Sequence, residues 1–91
     1  MRISFDPGKN ERNVTDRGLP FGLIEQLAWS SALIEEDLRK NYGERRYLAL
    51  GLIGDRLHAV VFTPRADEVH VISLRKANQR EVKDYDQKTK S

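Results

Sequence analysis

Two adjacent cations, Arg75 and Lys76, end a run of strand-forming residues and are the first candidates for chemistry in this sequence. The run, residues 68 to 74, is rich in valine, isoleucine and leucine, which favour β-strands. A helix start follows at once, because Asn78 and Glu81 have the spacing of a capping box. Cations held at the rim of a sheet beside a helix N-terminus are well placed to bind phosphate. The pattern therefore predicts a phosphate-binding rim at the end of a strand.

The two cations are predicted to point to opposite faces of that strand, because side chains alternate along a strand. They can meet at one phosphate only if the strand ends between them or if a bulge turns one of them. Aliphatic side chains fall on both faces, which indicates an interior strand. Val69, Val71 and Ser73 are expected on the face of Arg75, and His70, Ile72 and Leu74 on the face of Lys76.

Cleavage of RNA through the neighbouring 2′-hydroxyl requires a proton acceptor, a proton donor for the leaving 5′-oxygen and fixed cations for the phosphate. It requires no metal ion, which suits a sequence without clusters of metal ligands. The side chains proposed for catalysis are Arg46, Arg75, Lys76, Arg80 and Tyr85, and those proposed for RNA binding are Lys9, Arg17, Arg45 and Tyr47.

Several candidates also have a plainer interpretation, which the sequence leaves open. Arg45 and Arg46 could be solvated charges at the start of a strand. Tyr85 could be a packing residue with a solvated hydroxyl, and His58 alternates with apolar residues as a structural histidine does. The consecutive carboxylates of residues 35 to 37 are interpreted as protection of a sheet edge rather than as catalytic acids.

Length and composition limit the kinds of site that this chain can hold. The 91 residues suffice for one domain, which we expect to span residues 1–91. The absence of cysteine excludes disulfides and thiol nucleophiles, and we expect no metal and no cofactor. No stretch approaches the ~20 apolar residues of a membrane span, and the N-terminus does not resemble a signal peptide. A cytoplasmic protein without membrane contact is therefore expected.

The charged residues are distributed unevenly along the chain. There are 16 basic and 14 acidic residues, and residues 75–91 hold six basic against three acidic ones. The positive excess therefore lies after the central strand. No predicted helix has the basic, base-reading face of a DNA-binding regulator, which argues against that class.

The elements that position the candidates can be predicted from periodicity and capping residues. A strand at residues 2–5 precedes a helix at residues 9–17, with Asp6 as its N-cap and Gly18 as its C-cap. Pro20 is predicted to open a second helix over residues 21–29, followed by an edge strand at 32–36. A hairpin follows at residues 45–53 and 57–63, and Pro64 is predicted to end its second strand.

The central strand at residues 68–75 completes a three-stranded antiparallel meander. The last helix is predicted to run to about Gln87, with residues 88–91 frayed. The predicted fold is α+β, with an antiparallel sheet of four or more strands and helices packed on one of its faces.

Several spaced motifs resemble the BrnT family of bacterial toxins, small ribonucleases of type II toxin–antitoxin pairs with a RelE-like fold. The resemblance covers about residues 3 to 85. It rests on Phe5-Asp6-Pro7-Gly8-Lys9 with Asn13, Gly18 and Phe21; on Glu44, Arg46, Tyr47 and Gly51; on Thr63 and Arg65; and on Ser73-x-Arg75-Lys76-Ala77 with Arg80-Glu81 and Tyr85.

The resemblance implies an RNA substrate, inhibition of translation and a BrnA-like antitoxin that covers the toxin. DNA contact would then be indirect, through the antitoxin's own domain. One departure concerns Asp16-Arg17, where the family often has Lys-His. Arg17 can bind phosphate but cannot act as a base near neutral pH, so weaker cleavage is expected. The alternative is a binding module without catalysis, which docks a protein partner through the same basic rim.

Overall fold

A computed structural model describes residues 1–90 and has a five-stranded sheet with order β1-β5-β4-β3-β2. The fold class is α+β, as predicted, and the central strand is interior because it pairs with a strand on each side. The elements are β1 (Arg2–Phe5), α1 (Pro7–Arg17), two 3₁₀ helices (Phe21–Gln26 and Trp29–Ser31), β2 (Leu33–Glu36), β3 (Tyr47–Ile53), β4 (Arg56–Arg65), β5 (Glu68–Lys76) and α2 (Gln79–Thr89).

The sheet is mixed, whereas a purely antiparallel sheet was predicted. β2, β3, β4 and β5 form antiparallel pairs in chain order, but β1 lies parallel to β5. Short turns force only consecutive strands to be antiparallel. β1 is joined to β5 through most of the chain, so nothing local fixes its direction.

The first helix forms for the predicted reasons. The Asp6 carboxylate accepts hydrogen bonds from the backbone N–H groups of Gly8 and Lys9, at 2.8 and 3.4 Å. Gly18 ends the helix in the left-handed conformation, with φ at 68°, which glycine adopts without a steric cost. Pro7 occupies the first turn, so the helix begins two residues before the predicted Lys9.

The predicted second α-helix is wrong. Residues 21–26 form a 3₁₀ helix, in which the backbone N–H of Leu27 donates to the carbonyl of Ile24. Gly22 lowers the helix propensity of this short run, and the N–H of Ala28 is bonded to Leu52 of β3 instead. The apolar stripe is nevertheless buried, as Phe21, Ile24 and Leu27 form part of the main core.

Both faces of the sheet carry a core, so the helices do not all cover one face as predicted. The larger core joins the first 3₁₀ helix to one face, through Val60 and Phe62 of β4. The second lies on the opposite face, where Val82 and Tyr85 of α2 pack against residues that include Leu50. β3 and β4 carry apolar side chains on both faces of the sheet. Each face is therefore stabilised by packing that shields it from water.

Two predicted ends also differ from the structure. β4 continues through Pro64 to Arg65, where its pairing with β3 has already ended at Phe62. The backbone N–H that proline lacks is therefore not needed for pairing with β3. α2 continues to Thr89, so Lys88 and Thr89 are helical rather than frayed, and Lys88 binds Glu35 at 2.8 Å. Ser91 lies outside the described residues.

No helix within residues 1–90 has the length and apolar character needed to cross a membrane.

Candidate functional site

β5 contains a bulge at Ile72 that changes which side chains share a face. Val61 of β4 is opposite Ser73, and Phe62 is opposite Val71, so Ile72 has no partner on β4. Residues directly opposite on antiparallel strands share a face of the sheet. The β4 residues Ala59, Val61 and Thr63 alternate and share one face, so their partners on β5 do as well. These partners, which we call the β5 strip, are His70, Ser73 and Arg75.

The strip corrects the predicted faces of the strand. Strict alternation predicts His70 and Arg75 on opposite faces of β5, but the bulge places them on the same face. Lys76 lies opposite His58 and so points to the other face of the sheet from Arg75. The bulge precedes both Arg75 and Lys76 and leaves them in alternation, so it does not provide the turn that a shared phosphate site requires.

α1 lies along the part of β5 that β1 leaves unpaired. β1 pairs only with residues 68–71 of β5. Beyond them, the Asn13 side chain donates through Nδ2 to the carbonyl of Leu74 at 2.9 Å and to that of Leu19 at 2.7 Å. Asn13 is only 5% exposed, so these carbonyls depend on it rather than on water. One buried amide thus holds α1 against the edge of the sheet.

A groove of about 240 Å³ separates α1 from β5, and we call it the α1 groove. Three of its lining side chains are cations and one, Asp16, is a carboxylate, so its charge is positive. The Arg17 guanidinium is held by the Asn13 side-chain oxygen at 3.0 Å. The lining residues are Lys9, Arg12, Asn13, Asp16, Arg17, Phe21, Ile72 and Ser73.

The α1 groove contains two of the predicted RNA-binding residues, Lys9 and Arg17, side by side with Ser73 of the β5 strip. Arg12 was not among the predicted residues. It lies one helical turn from Lys9, and this spacing could have indicated it.

His70 is a further residue that the sequence interpretation missed. Its Nδ1 atom lies 2.8 Å from the Ser4 hydroxyl oxygen of β1. Partial burial lowers the pKa of His70, and the positive charges of Arg65 and Lys9 lower it further. Glu44 and Glu68 oppose this shift with smaller effects than burial. The imidazole is therefore neutral near neutral pH.

Arg75 is fixed by a bidentate ion pair with Glu81 of α2. The two guanidinium–carboxylate distances are 2.7 and 2.9 Å. Each partner stabilises the charge of the other, so the pKa of Arg75 is raised and the pKa of Glu81 is lowered. Glu81 also completes the capping box, since it accepts from the N–H of Asn78 at 2.9 Å. The Arg75 guanidinium is therefore preorganised at the start of α2.

The candidates at the start of β3, which are Arg45, Arg46 and Tyr47, make their contacts away from the β5 strip. The Arg46 guanidinium lies over the Tyr42 ring at 4.1 Å, and its Nε atom is buried without a hydrogen-bond partner among residues 1–90. Arg45 is exposed, 4.0 Å from a Glu36 carboxylate. Tyr47 stacks on Phe62, with ring centroids 5.8 Å apart, and so packs in the core on the other face.

The α2 candidates lie on the strip's side of the sheet, but in a different cavity from the α1 groove. Arg80 lines a mostly apolar cavity of about 240 Å³ between α2 and the β2–β3 strands. Tyr85 packs against the second core, and its hydroxyl donates to the carbonyl of Ser31 at 3.3 Å. These contacts match the packing interpretation of Tyr85.

The plainer interpretations of His58 and of the acidic run agree with the structure. His58 is buried, with Nδ1 2.9 Å from the carbonyl of Arg56. Residues 35 and 36 end the edge strand β2, and Asp37 follows it. Arg39 and Tyr42 bind the Asp37 carboxylate and hold its pKa well below the usual range. Within residues 1–90, no three His, Asp or Glu side chains are grouped so that they could hold a metal ion.

These elements define a small α+β protein in which a cationic helix faces one strand of a mixed sheet. A family model described as "Ribonuclease toxin, BrnT, of type II toxin-antitoxin system" matches residues 5–81. This chain therefore belongs to the BrnT family of ribonuclease toxins, which confirms the resemblance drawn from its motifs.

A solved structure agrees with this assignment. The chain is similar to the Brucella abortus ribonuclease toxin, BrnT, known from a crystal structure at 1.1 Å resolution, with a TM-score of 0.69 and 29% sequence identity. The match covers 87% of this chain and 99% of that one. No curated protein sequence matches this chain.

Proposed function

We propose that this chain is an endoribonuclease toxin that cleaves RNA without a metal ion and thereby inhibits translation in the cytoplasm. Membership of the BrnT family supports the class of reaction. The observation that carries the proposal is the α1 groove, a positive cavity that Lys9, Arg12 and Arg17 line together with Ser73 of the β5 strip. Such a groove attracts the phosphates of RNA and holds them next to the strand.

Arg75 suits the stabilisation of the reacting phosphate. The pentacoordinate phosphate formed during 2′-hydroxyl attack carries additional negative charge, and fixed cations lower its free energy most when they need not reorganise. Arg75 is held in one orientation by Glu81, at 2.7 Å. A phosphate would share this guanidinium with Glu81 or displace the carboxylate. Arg75 and Ser73 share a face of β5, where Ser73 lines the α1 groove and Arg75 lines a second cavity together with Glu81.

The first test is cleavage by purified, antitoxin-free chain in the presence of a chelator. We expect cleavage to persist under chelation, because residues 1–90 contain no group of three or more His, Asp or Glu side chains that could bind a metal ion. The double variant Lys9→Ala/Arg17→Ala should reduce kcat/KM about tenfold or more, since two phosphate contacts are lost. Lys83→Ala is the matched control, because Lys83 is a cation of α2 that lines another cavity. Intact RNA, with or without added divalent metal, would instead favour the binding module.

The second part of the proposal is neutralisation by a BrnA-like antitoxin, encoded alongside, that contacts DNA through its own domain. The apolar side chains near edge strand β2 support a protein partner. Ile34 is 48% exposed and Leu38 is 78% exposed, and one edge of β2 is unpaired. We expect induced expression to arrest growth and co-expression of the neighbouring gene to relieve the arrest. Failure of the two proteins to co-purify would contradict this part.

A further inference from the structure

The α1 groove contains cations for the phosphate, but its lining has no histidine, the side chain that most often acts as a general base. Lysine and arginine side chains have hydrogen-bond donors but no acceptor, so Lys9, Arg12 and Arg17 suit the phosphate and not the hydroxyl proton, and Asp16 is the one carboxylate of the lining. Cleavage through the 2′-hydroxyl nevertheless requires a group that removes its proton. A histidine beside the groove is therefore a candidate for this acceptor.

We propose that His70 is the group that accepts the 2′-hydroxyl proton in this chain, held in position by Ser4. This inference rests on the ribonuclease function proposed above and adds a residue to its site. His70 is on the same face of β5 as Ser73 and Arg75, and Ser73 lines the α1 groove. Lys9 connects the two places, because it lines the groove and its charge also acts on the imidazole.

The hydrogen bond to Ser4 defines which nitrogen reacts. If Nδ1 carries the proton and donates to the Ser4 oxygen at 2.8 Å, the lone pair of Nε2 is available. Nε2 makes no hydrogen bond to a residue within 1–90, so nothing in that range competes for it. Ser4 is fixed in turn by the parallel pairing of β1 with β5, where it is directly opposite His70.

The reaction balances with these groups. Nε2 takes the proton of the 2′-hydroxyl, and the 2′-oxygen forms a bond to phosphorus. The bond from phosphorus to the 5′-oxygen breaks, and the departing oxygen takes a proton from water. The products are a 2′,3′-cyclic phosphate and a 5′-hydroxyl, and the imidazolium returns its proton to solvent.

The charges around His70 favour the neutral base before reaction. Arg65 of β4 and Lys9 of α1 oppose a positive imidazole, while Glu44, before β3, and Glu68, on β5, favour it. Burial is the largest effect and also favours the neutral form. Because the pKa of His70 is lowered from its ordinary value of about 6.5, the base form predominates at neutral pH. The cleavage rate should therefore rise with pH and level off, with a midpoint below pH 6.5.

The test compares His70→Gln with His58→Gln, the same substitution at the other histidine of the chain. His70→Gln should lower the single-turnover cleavage rate about 10²–10⁴-fold and remove the acidic limb of the pH–rate profile. His58→Gln should keep that limb, because His58 is buried and bonded to the carbonyl of Arg56. Ser4→Ala should lower the rate less and shift the imidazole tautomer, which ¹⁵N NMR of the histidines detects.

The outcomes separate this inference from the function on which it rests. If wild type cleaves RNA and His70→Gln keeps the rate and the acidic limb, His70 is not the acceptor while the ribonuclease function stands. If wild type binds RNA without cleaving it, both proposals fail. If His70→Gln does not fold, the NMR titration of His70 in wild type decides. If the pKa of His70 measured by NMR equals the midpoint of the acidic limb, the proposal is supported. If the two values differ, the proposal is overturned.

Discussion

Arg75→Ala is expected to lower the rate of RNA cleavage by about 10²–10³, as the loss of one preorganised charge donor does in other enzymes. The guanidinium lies on the face of β5 that also carries Ser73 and His70. It is already oriented by Glu81 before any substrate arrives. The measurement is single-turnover cleavage of a short RNA by the antitoxin-free chain, together with a thermal unfolding curve.

Lys76→Ala is the matched control, because this neighbouring cation points to the other face of the sheet. Its cleavage rate should be close to that of wild type. A large loss with Lys76→Ala and none with Arg75→Ala would show that the wrong face of the sheet has been assigned to the reaction.

Glu81→Gln separates a direct role of Arg75 from a structural one. It leaves the guanidinium in place but removes the charge that binds it, so cleavage should fall far less than with Arg75→Ala. The free energy of unfolding should decrease by roughly 1–2 kcal/mol at neutral pH. The lowered pKa of Glu81 means that its contribution is present above the ordinary carboxyl pKa. That contribution is lost as pH falls through the lowered value, so the two proteins should become equally stable in acid. Equal losses of activity for Arg75→Ala and Glu81→Gln would instead indicate that the ion pair acts by holding α2.

Asn13→Ala is expected to reduce the free energy of unfolding by roughly 2–4 kcal/mol, because two buried carbonyls lose the side-chain donor that binds them. These carbonyls belong to Leu19 and Leu74. The same change releases Arg17, which Asn13 binds at 3.0 Å. Chemical denaturation measures the stability, and RNA binding measured under folded conditions reports on the α1 groove.

Val14→Ala provides the comparison within the same helix, since Val14 is 43% exposed and its truncation should change stability by less than about 1 kcal/mol. If Asn13→Ala were as stable as Val14→Ala, α1 would be held to β5 by other contacts. RNA binding would then be expected to persist as well.

Features with local causes could be predicted from the sequence. The caps of α1 depend on Asp6 and Gly18, which act within a few residues of the chain, and both predictions are confirmed. The capping box of α2 is confirmed for the same reason. The direction of β1 has no such local cause, because its partner strand lies at the far end of the chain. Helical spacing in residues 21–29 indicated the buried side chains correctly but not the type of helix.

In the candidate site, too, features with local causes could be predicted and features that depend on distant segments could not. Lys9 and Arg17 come together because they are on one side of a helix, a relation that spacing reveals. His70 joins Arg75 through the bulge at Ile72, and no turn residue or glycine in the strand indicates a bulge there. The faces of β5 were therefore assigned by strict alternation, and His70 was placed on the wrong one.

The parallel pairing of β1 with β5 has a consequence for synthesis on the ribosome. Ser4 and His70 are 66 residues apart, and Asn13 and Leu74 are 61 apart, so the N-terminal strand and helix emerge long before their partners. Contacts between distant segments form only after both have been made. Glu81, which orients the Arg75 guanidinium, is translated later still. Under the function proposed above, the nascent chain therefore acquires its RNA-cleaving surface only after β5 and α2 have been made.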